Sequence, residues 1–529
     1  VSDSLEAVEA GSRTAAAHSS TPPRGQGASV SPLASDSHTA DRALIAILLV
    51  FAAWIASARE ADFDFWYHMA AGRDILHAGR IPFTDSFTHT AAGHPYPPTE
   101  WLFQVMLYGL HAALGIAGVV LYKTIFVTAC AALLVYAGRS QGASAASVVM
   151  VVGLGLLAAV PRYLARPEWV TFAGAALVTA YVLDEERGRP WSGWRAAIPP
   201  AATLVWANAH PGVFFGVLIV VAHTAARLGF AQRPRAHAGE RSGLRRQLVV
   251  AAACVAASFA TPASASNLSF VLAHANVFGR LGVEEFQPLP LIPELGFIWF
   301  YLAIVTALCL VRVRELSIAS RVLALVFLVL ALRNLRLVPL FIVVSAPLAA
   351  PALDRILAPL LARSRSPRRA AAAAALATLL ACASVRIAQR PMWGPIAFTL
   401  DESIVPVGAA DFLEANEVVA RLYNFQGYGN YLIWRGFQVA TDARLPLHEE
   451  TFIAFARKPL DAMERFGITA AVVPPPNNAN FELDGVAGLL ARRRETWALV
   501  YTDSVAMVFL KRGAGLDDLI GDAEPAPTP

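Results

Sequence analysis

The sequence predicts a mainly α-helical, polytopic transmembrane bundle of about eleven spans, followed by a small extracytoplasmic α/β domain. Three observations predict it. The 529-residue chain is 56% hydrophobic and only 16% charged, with a mean hydropathy of +0.50, whereas soluble domains carry about a quarter charged residues. Apolar runs that approach the thickness of a bilayer recur along its length. Arginine clusters fall in alternate connections between those runs.

Residues 1–41 are rich in Ser, Thr, Ala, Pro and Gly and show no apolar period. Such a segment buries too little surface to order itself, so it reads as a disordered cytoplasmic tail. The first apolar stretch lies too far in, without a small-residue cleavage site behind it, for a signal peptide. The core, 42–386, holds apolar runs near 42–58, 116–136, 144–160, 168–184, 196–208, 211–229, 248–261, 297–311, 318–332, 337–353 and 369–386. Trp101–Leu114 is interrupted by His111 and reads as an interfacial helix.

The basic residues set the orientation. With the N-terminus inside, the inner loops hold Arg139; Arg187, Arg189 and Arg195; Arg233, Arg235, Arg241, Arg245 and Arg246; Arg312, Arg314 and Arg321; and Arg355, Arg363, Arg365, Arg368 and Arg369. Every inner loop is positive, as orientation in a membrane demands. Making 101–114 a span would put the three richest clusters outside. The expected location is the bacterial inner membrane, multi-pass, with the bilayer itself as one partner. The net charge of +4 is too small to argue for nucleic acid. Cys130, Cys254, Cys309 and Cys382 all sit in apolar runs without CxxC spacing, so they read as small buried hydrophobes.

From about Pro391 the pattern changes. "VPVGAADFLEANE" reads as a helix, "VARLYNF" as a strand, "YGNYLIWRG" as a turn with a short helix, and "FQVATDAR" as a strand. "TFIAFARKPLDAMERF" is an amphipathic helix, "GITAAVVPP" a buried strand, and "WALVYTD" with "VAMVFLKR" a closing pair. The expected extracytoplasmic domain covers 391–512, with 513–529 a disordered tail. It has no Gly-rich phosphate loop, Ser-His-Asp pattern or Cys, so it reads as a substrate-binding or lid module. Its aromatic turn "YNFQGYGNYLIW" either stacks on sugar rings or forms the domain core.

Chemistry gathers on the outer side. In "EADFDFWYHMAAGRDILHAGRIPFTDSF", which opens the loop from Arg59 to Gly115, Asp62 and Asp64 follow the first span, beside Trp66 and His68. Two carboxylates at i and i+2 can share a cation, or one can act as general base while the other tunes it. A solvated turn is the plain alternative. Arg162 and Arg166 in "PRYLARPEW", and Arg333 and Arg336 in "LRNLRLVP", stand at outer span ends where orientation does not require them. Arginine near hydrocarbon is costly unless paired or facing a polar cavity. Each one alone could snorkel to the headgroups, but four on the side of the acidic loop favour an anion site, and guanidinium forks match phosphate oxygens.

Other residues are candidates. Asn208 and His210 in "NAHPG" bind phosphate or sugar hydroxyls, or merely end a helix. Lys123, inside the second span, implies a buried partner or a donor-phosphate contact, unless it snorkels. Glu284 and Glu285, in the outer loop 262–296, supply a further carboxylate or are solvated. His68, His89, His94 and Glu100 lack the spacing of a compact zinc site.

The segment "DFDFWYHMAAGRDILHAGRIPFTDSFTHT…GHPYPPTEWLFQVMLYGLHAALG" resembles the start of bacterial polytopic proteins of the GT-C glycosyltransferase superfamily. That superfamily includes oligosaccharyltransferases, protein O-mannosyltransferases and the lipid A aminoarabinose transferase. The similarity continues through "RYLARPEW", "WANAHPG", "VEEFQP", "RNLRLVPLF" and "YNFQGYGNYLIW", from about residue 42 to 512. The resemblance implies a helical core whose first outer loop forms the active site with later outer loops. It also implies a polyprenyl-phosphate-linked sugar donor and a glycan, lipid or protein acceptor. The acidic residue after the first span, which deprotonates or positions the acceptor, carries over to Asp64 or Asp62, with Asp64 preferred. Some relatives hold a divalent metal (Mg or Mn) on an acidic pair of the second outer loop. Here only Glu168 stands there, so Asp62 and Asp64 are the candidate ligands if any metal binds.

On this reading the chain is an inverting glycosyltransferase acting on the outer face. A lipid or glycan transporter or flippase would instead show broken segments at mid-membrane and an internal repeat, and no convincing repeat is found. A non-catalytic scaffold with the same fold is the third reading.

Overall fold

The computed structural model describes residues 32–231, 238–389, 396–476 and 485–523. Most of the tail expected over 1–41 lies outside them, as do residues 524–529. The helices run α1 (Pro32–Ala56), α2 (Asp64–Ala78), α3 (Trp101–Leu114), α4 (Ile116–Ser140), α5 (Ala145–Ala158), α6 (Glu168–Glu186) and α7 (Ile198–Ala209). They continue with α8 (Val213–Ala231), α9 (Ala238–Phe259), α10 (Ser266–Arg280), α11 (Gly296–Val311), α12 (Ile318–Arg333), α13 (Val338–Leu361) and α14 (Pro367–Ala388). Each of the eleven apolar runs coincides with a helix. Among the described residues, five helical segments are long and apolar enough to cross a membrane: His38–Ala56, Ile116–Ser140, Pro293–Val311, Leu335–Leu361 and Pro367–Ala388.

These helices are apolar nearly all round, the pattern of elements enclosed by protein or lipid. Helix α13 is the axis of the bundle and packs on α4, α5, α6, α11, α12 and α14. The four cysteines are buried and unbridged. Small residues set the closest approaches. A Cβ on Gly72 of α2 would lie 2.1 Å from the carbonyl oxygen of Gln104, so only glycine lets α3 pack there. The Trp206 ring is held likewise between Gly174 of α6 and Gly216 of α8, where a Cβ would come within 2.4 Å of it.

Two connections carry more regular structure than their composition suggests. Besides α3, which the sequence predicts as a helix over Trp101–Leu114, the first long loop contains α2, and the loop 262–296 contains α10. Beyond α14 come α15 (Val407–Ala415), β1 (Leu422–Asn424), α16 (Gln426–Trp434), α17 (Leu445–Arg457), α18 (Pro459–Arg465) and β2 (Ala470–Val473). Then follow α19 (Val486–Ala491), β3 (Trp497–Thr502), β4 (Met507–Lys511) and α20 (Asp517–Ala523), the last within the segment expected to be a tail. The sheet order is β1-β2-β4-β3, with β1 and β2 parallel and the other pairs antiparallel.

Two expected elements differ. "FQVATDAR" forms no ladder; Val439 makes single bridges to Leu422 and Thr88. The Asn424 amide satisfies this backbone instead, accepting from Ala440 and Thr441 N–H and donating to the Thr441 carbonyl. The helix expected over "TFIAFARKPLDAMERF" divides into α17 and α18, because Pro459 drives Lys458 to φ −143°, ψ 74°. Tyr423, Tyr428 and Tyr431 of the aromatic turn are buried as core.

Candidate active site

The charged residues converge where α1 gives way to α2, at the bundle end that carries the sheet. Glu60 is fully buried. One of its oxygens takes a 2.8 Å bond from Lys123, and the other accepts from the Asp62 and Ala165 amides. Lys123 also donates to the Tyr163 carbonyl, at 3.1 Å. This pair ties the segment bearing Asp62 and Asp64 to the segment bearing Arg162 and Arg166.

Arg166 is the hub. Its Nε and Nη2 grip both oxygens of Asp62 at 2.9 and 2.8 Å, Nη2 lies 3.0 Å from Asp64, and Nη1 reaches Glu285 at 2.9 Å. Arg162 donates through Nε and Nη2 to Glu168 and through Nη1 to Glu285. Arg336 donates through Nε to Glu168 at 2.6 Å and through Nη1 to Glu285 at 3.4 Å.

Above this network lies a cavity of about 440 Å³. Asp64, Glu100, Arg166, His210, Glu285 and Arg336 form its polar part, whereas Phe215, Phe270, Phe278 and Leu340 belong to a larger apolar lining. Asp64 opens to it with 28% of its side chain exposed, whereas Asp62 is 3% exposed. Enclosure in this cavity raises the Asp64 carboxyl to about 7; Arg166 opposes the shift, and Asp62 and Glu285 add to it. Glu100, 3.9 Å from His68 Nδ1 and 3.8 Å from His210 Nε2, is likewise pushed up to about 7 by burial. Burial lowers His68 to about 3, so its imidazole is neutral. His210 is placed by a relay: Trp206 donates to Thr171 Oγ1 at 2.8 Å, and that hydroxyl lies 2.6 Å from His210 Nδ1.

No family model and no curated protein matches the chain. Solved structures do. The oligosaccharyltransferase of Archaeoglobus fulgidus in its apo form aligns with a TM-score of 0.57, at 11% identity, over 90% of this chain and 75% of that one. Archaeal oligosaccharyltransferase AglB from Archaeoglobus fulgidus, in complex with an inhibitory peptide and a dolichol-phosphate, gives 0.55 at 10% identity, over 89% and 74%. Arabinofuranosyltransferase AftD from Mycobacteria gives 0.53 at 14% identity, with 89% of this chain spanning 41% of that one. The fold is GT-C-like. At these identities the likeness concerns the fold alone, and with the apolar helices it makes the chain a multi-pass membrane protein.

Within this GT-C-like frame, Asp64, Arg166, His210, Arg336 and His68 of the sequence-derived candidates line one cavity. Asp62 and Arg162 lie behind it as buried partners of the network. Lys123 is buried against Glu60, away from the cavity. Trp66 packs on Tyr431 and Trp434. Asn208 accepts from the Trp101 indole and donates to the Leu204 and Ala260 carbonyls, a local structural role. Arg333 is exposed and does not line the cavity. Of the zinc candidates, His89 contacts the Leu422 carbonyl and His94 is exposed, so the four do not converge.

Asp62 and Asp64 do not fit a divalent ion. Both face Arg166, and among the described residues no three His, Cys, Asp or Glu side chains are grouped to hold one. Among the lining residues that the sequence did not single out are Tyr67, Tyr96, Thr171, Gln426 and Arg444. Arg444 and Gln426 reach the cavity from the C-terminal region. Arg444 pairs with Asp85 and Asp442 at 2.5 Å and lies 4.7 Å over Tyr67 and 5.0 Å over Tyr96. The Asp442–Ala443–Arg444 run in "ATDARLP" was the only available signal, and nothing local distinguishes it from a turn.

Proposed function

We propose that this chain is a membrane glycosyltransferase that moves a sugar from a polyprenyl-phosphate-linked donor to an acceptor at the outer face of the membrane. One observation carries the reading: Asp64 is a carboxylate raised to about 7 that opens into a largely apolar cavity beside a preset guanidinium cluster. A base poised near neutral pH suits proton abstraction from a hydroxyl or amine. The GT-C-like fold supports it, as do the dolichol-phosphate in an AglB structure and the sugar transfer named for AftD.

In this mechanism Asp64 takes the acceptor's proton as the acceptor oxygen or nitrogen attacks the anomeric carbon. The bond from that carbon to the phosphate oxygen breaks, and its electron pair leaves with the polyprenyl phosphate. The charge developing on that oxygen is stabilised by the guanidinium groups, so no protein acid is needed there. One displacement inverts the anomeric configuration. The apolar lining suits the first isoprene units, and on this reading the C-terminal region, which lines the cavity through Arg444 and Gln426, forms a wall on the acceptor side.

Purified protein in nanodiscs, given a panel of polyprenyl-phosphate sugars and candidate acceptors, tests the proposal. Transfer with inversion at the anomeric carbon, read by NMR of the product, is expected. Retained configuration would overturn the single displacement, and failure to consume any donor would overturn the donor class.

A further inference from the structure

The three arginines are arranged around a single point. Arg162 and Arg166 each turn Nε and Nη2 toward a carboxylate of the helical core, and Arg336 turns Nε toward one. Those carboxylates, Glu168 and Asp62, are 2% and 3% exposed. All three guanidiniums then direct Nη1 at the carboxylate of Glu285. Glu285 differs from the core carboxylates. It is 20% exposed, lines the cavity, and sits on a short turn, Glu284–Phe286, that follows Gly282 at φ +72°. The core thus fixes three N–H donors, and a loop supplies the anion between them.

We propose that Glu285 stands in for a phosphate group, and that the phosphate of a lipid-linked ligand displaces it from the Arg162–Arg166–Arg336 centre. The proposal rests on the donor class proposed above. Two carboxylate oxygens serve three Nη1 donors, whereas a phosphomonoester has three terminal oxygens and up to two charges. The centre therefore matches the departing polyprenyl phosphate better than the phosphodiester donor, which is the preference that assists bond cleavage. Displacing Glu285 also leaves Arg162, Arg166 and Arg336 facing Asp62, Asp64 and Glu168, so the incoming anion meets no excess of carboxylates. Phe286 stacks on Phe278 at 4.6 Å and lies 5.1 Å from the Arg336 guanidinium, so displacement must break the Arg336–Phe286 contact together with the three Glu285 contacts, while the Phe278 stack can keep the turn on α10.

The test is binding rather than turnover, so it fails independently of the transferase reading. Affinities for inorganic phosphate, polyprenyl phosphate and unphosphorylated polyprenol are measured for the wild type and for Glu285→Gln and Glu285→Ala. Both variants should bind polyprenyl phosphate about tenfold tighter or more, since a competing charge is gone, and adding Arg336→Gln should abolish the gain. A parallel gain for inorganic phosphate shows that the centre reads the phosphate itself; a gain confined to polyprenyl phosphate shows that the lipid must seat it. Unchanged or weaker binding of both phosphates overturns the proposal, as does an equal gain for polyprenol. If the variants do not fold, hydrogen exchange on the wild type decides. Polyprenyl phosphate should speed exchange over residues 281–290, and unchanged or slower exchange there refutes displacement.

Discussion

Asp62 and Asp64 are two residues apart yet should fail in opposite ways. Asp62 is buried and accepts two charge-assisted bonds from Arg166. Removing one partner of such a pair leaves an uncompensated buried charge and costs about 3–5 kcal/mol. Asn retains one acceptor oxygen, and Arg166 keeps Glu285 and Asp64, so Asp62→Asn should sit at the low end, about 3 kcal/mol. Asp64 is more open and holds Arg166 by one 3.0 Å contact. Asp64→Asn should therefore cost at most about 1 kcal/mol of stability. Its effect on turnover should be far larger, because a positioned general base contributes about 10²–10⁴-fold, or roughly 3–5 kcal/mol of barrier. Unfolding temperature in detergent and single-turnover transfer from a polyprenyl-phosphate sugar are measured on both variants. A stable but inactive Asp64→Asn beside an unstable Asp62→Asn is expected. A fully active Asp64→Asn, or a stable and inactive Asp62→Asn, would refute the assignment of base and strut.

Three further outcomes follow from the same geometry. Lys123→Met should lower stability by about 3–5 kcal/mol by stranding the buried Glu60, and Glu60→Gln with Lys123→Met should recover most of it; equal unfolding temperatures for single and double variants would exclude the pairing as the cause. Transfer by the wild type should rise with pH through an apparent pKa of about 7, since Asp64 works only after losing its proton; a flat or falling profile between pH 6 and 8 would count against it. In intact cells a membrane-impermeant maleimide should label Ala92→Cys but reach Arg314→Cys only after permeabilisation, the native cysteines being buried; the reverse pattern would invert the orientation.

Much of the fold is legible in the sequence because apolar periodicity reports burial directly. All eleven apolar runs are helices, and the strands around Ala470–Val473, Trp497–Thr502 and Met507–Lys511 follow their own patterns. Elements satisfied by distant groups are not legible. The "FQVATDAR" backbone is held by Asn424 rather than by a neighbouring strand. Helix α2 is hidden by polar residues such as Asp64 and His68 that turn out to face a cavity, and α10 by an apolar face, with Phe270, Val271 and Phe278, that is interrupted by exposed serines.

The residue types of the candidate site, and the end of the bundle where they gather, are set by the sequence itself, because charge beside hydrocarbon is tolerated only for a reason. Which charge meets which is a tertiary matter. Arg333 and Arg336 are three residues apart, yet the first ends α12 in the open and the second turns to Glu168 and Glu285. Arg166 meets Asp62, 104 residues away, and Arg444 meets Asp85, 359 residues away. Local pattern carries no record of such distances; packing around α13 creates them, and with them the difference between a buried strut and a carboxylate open to substrate.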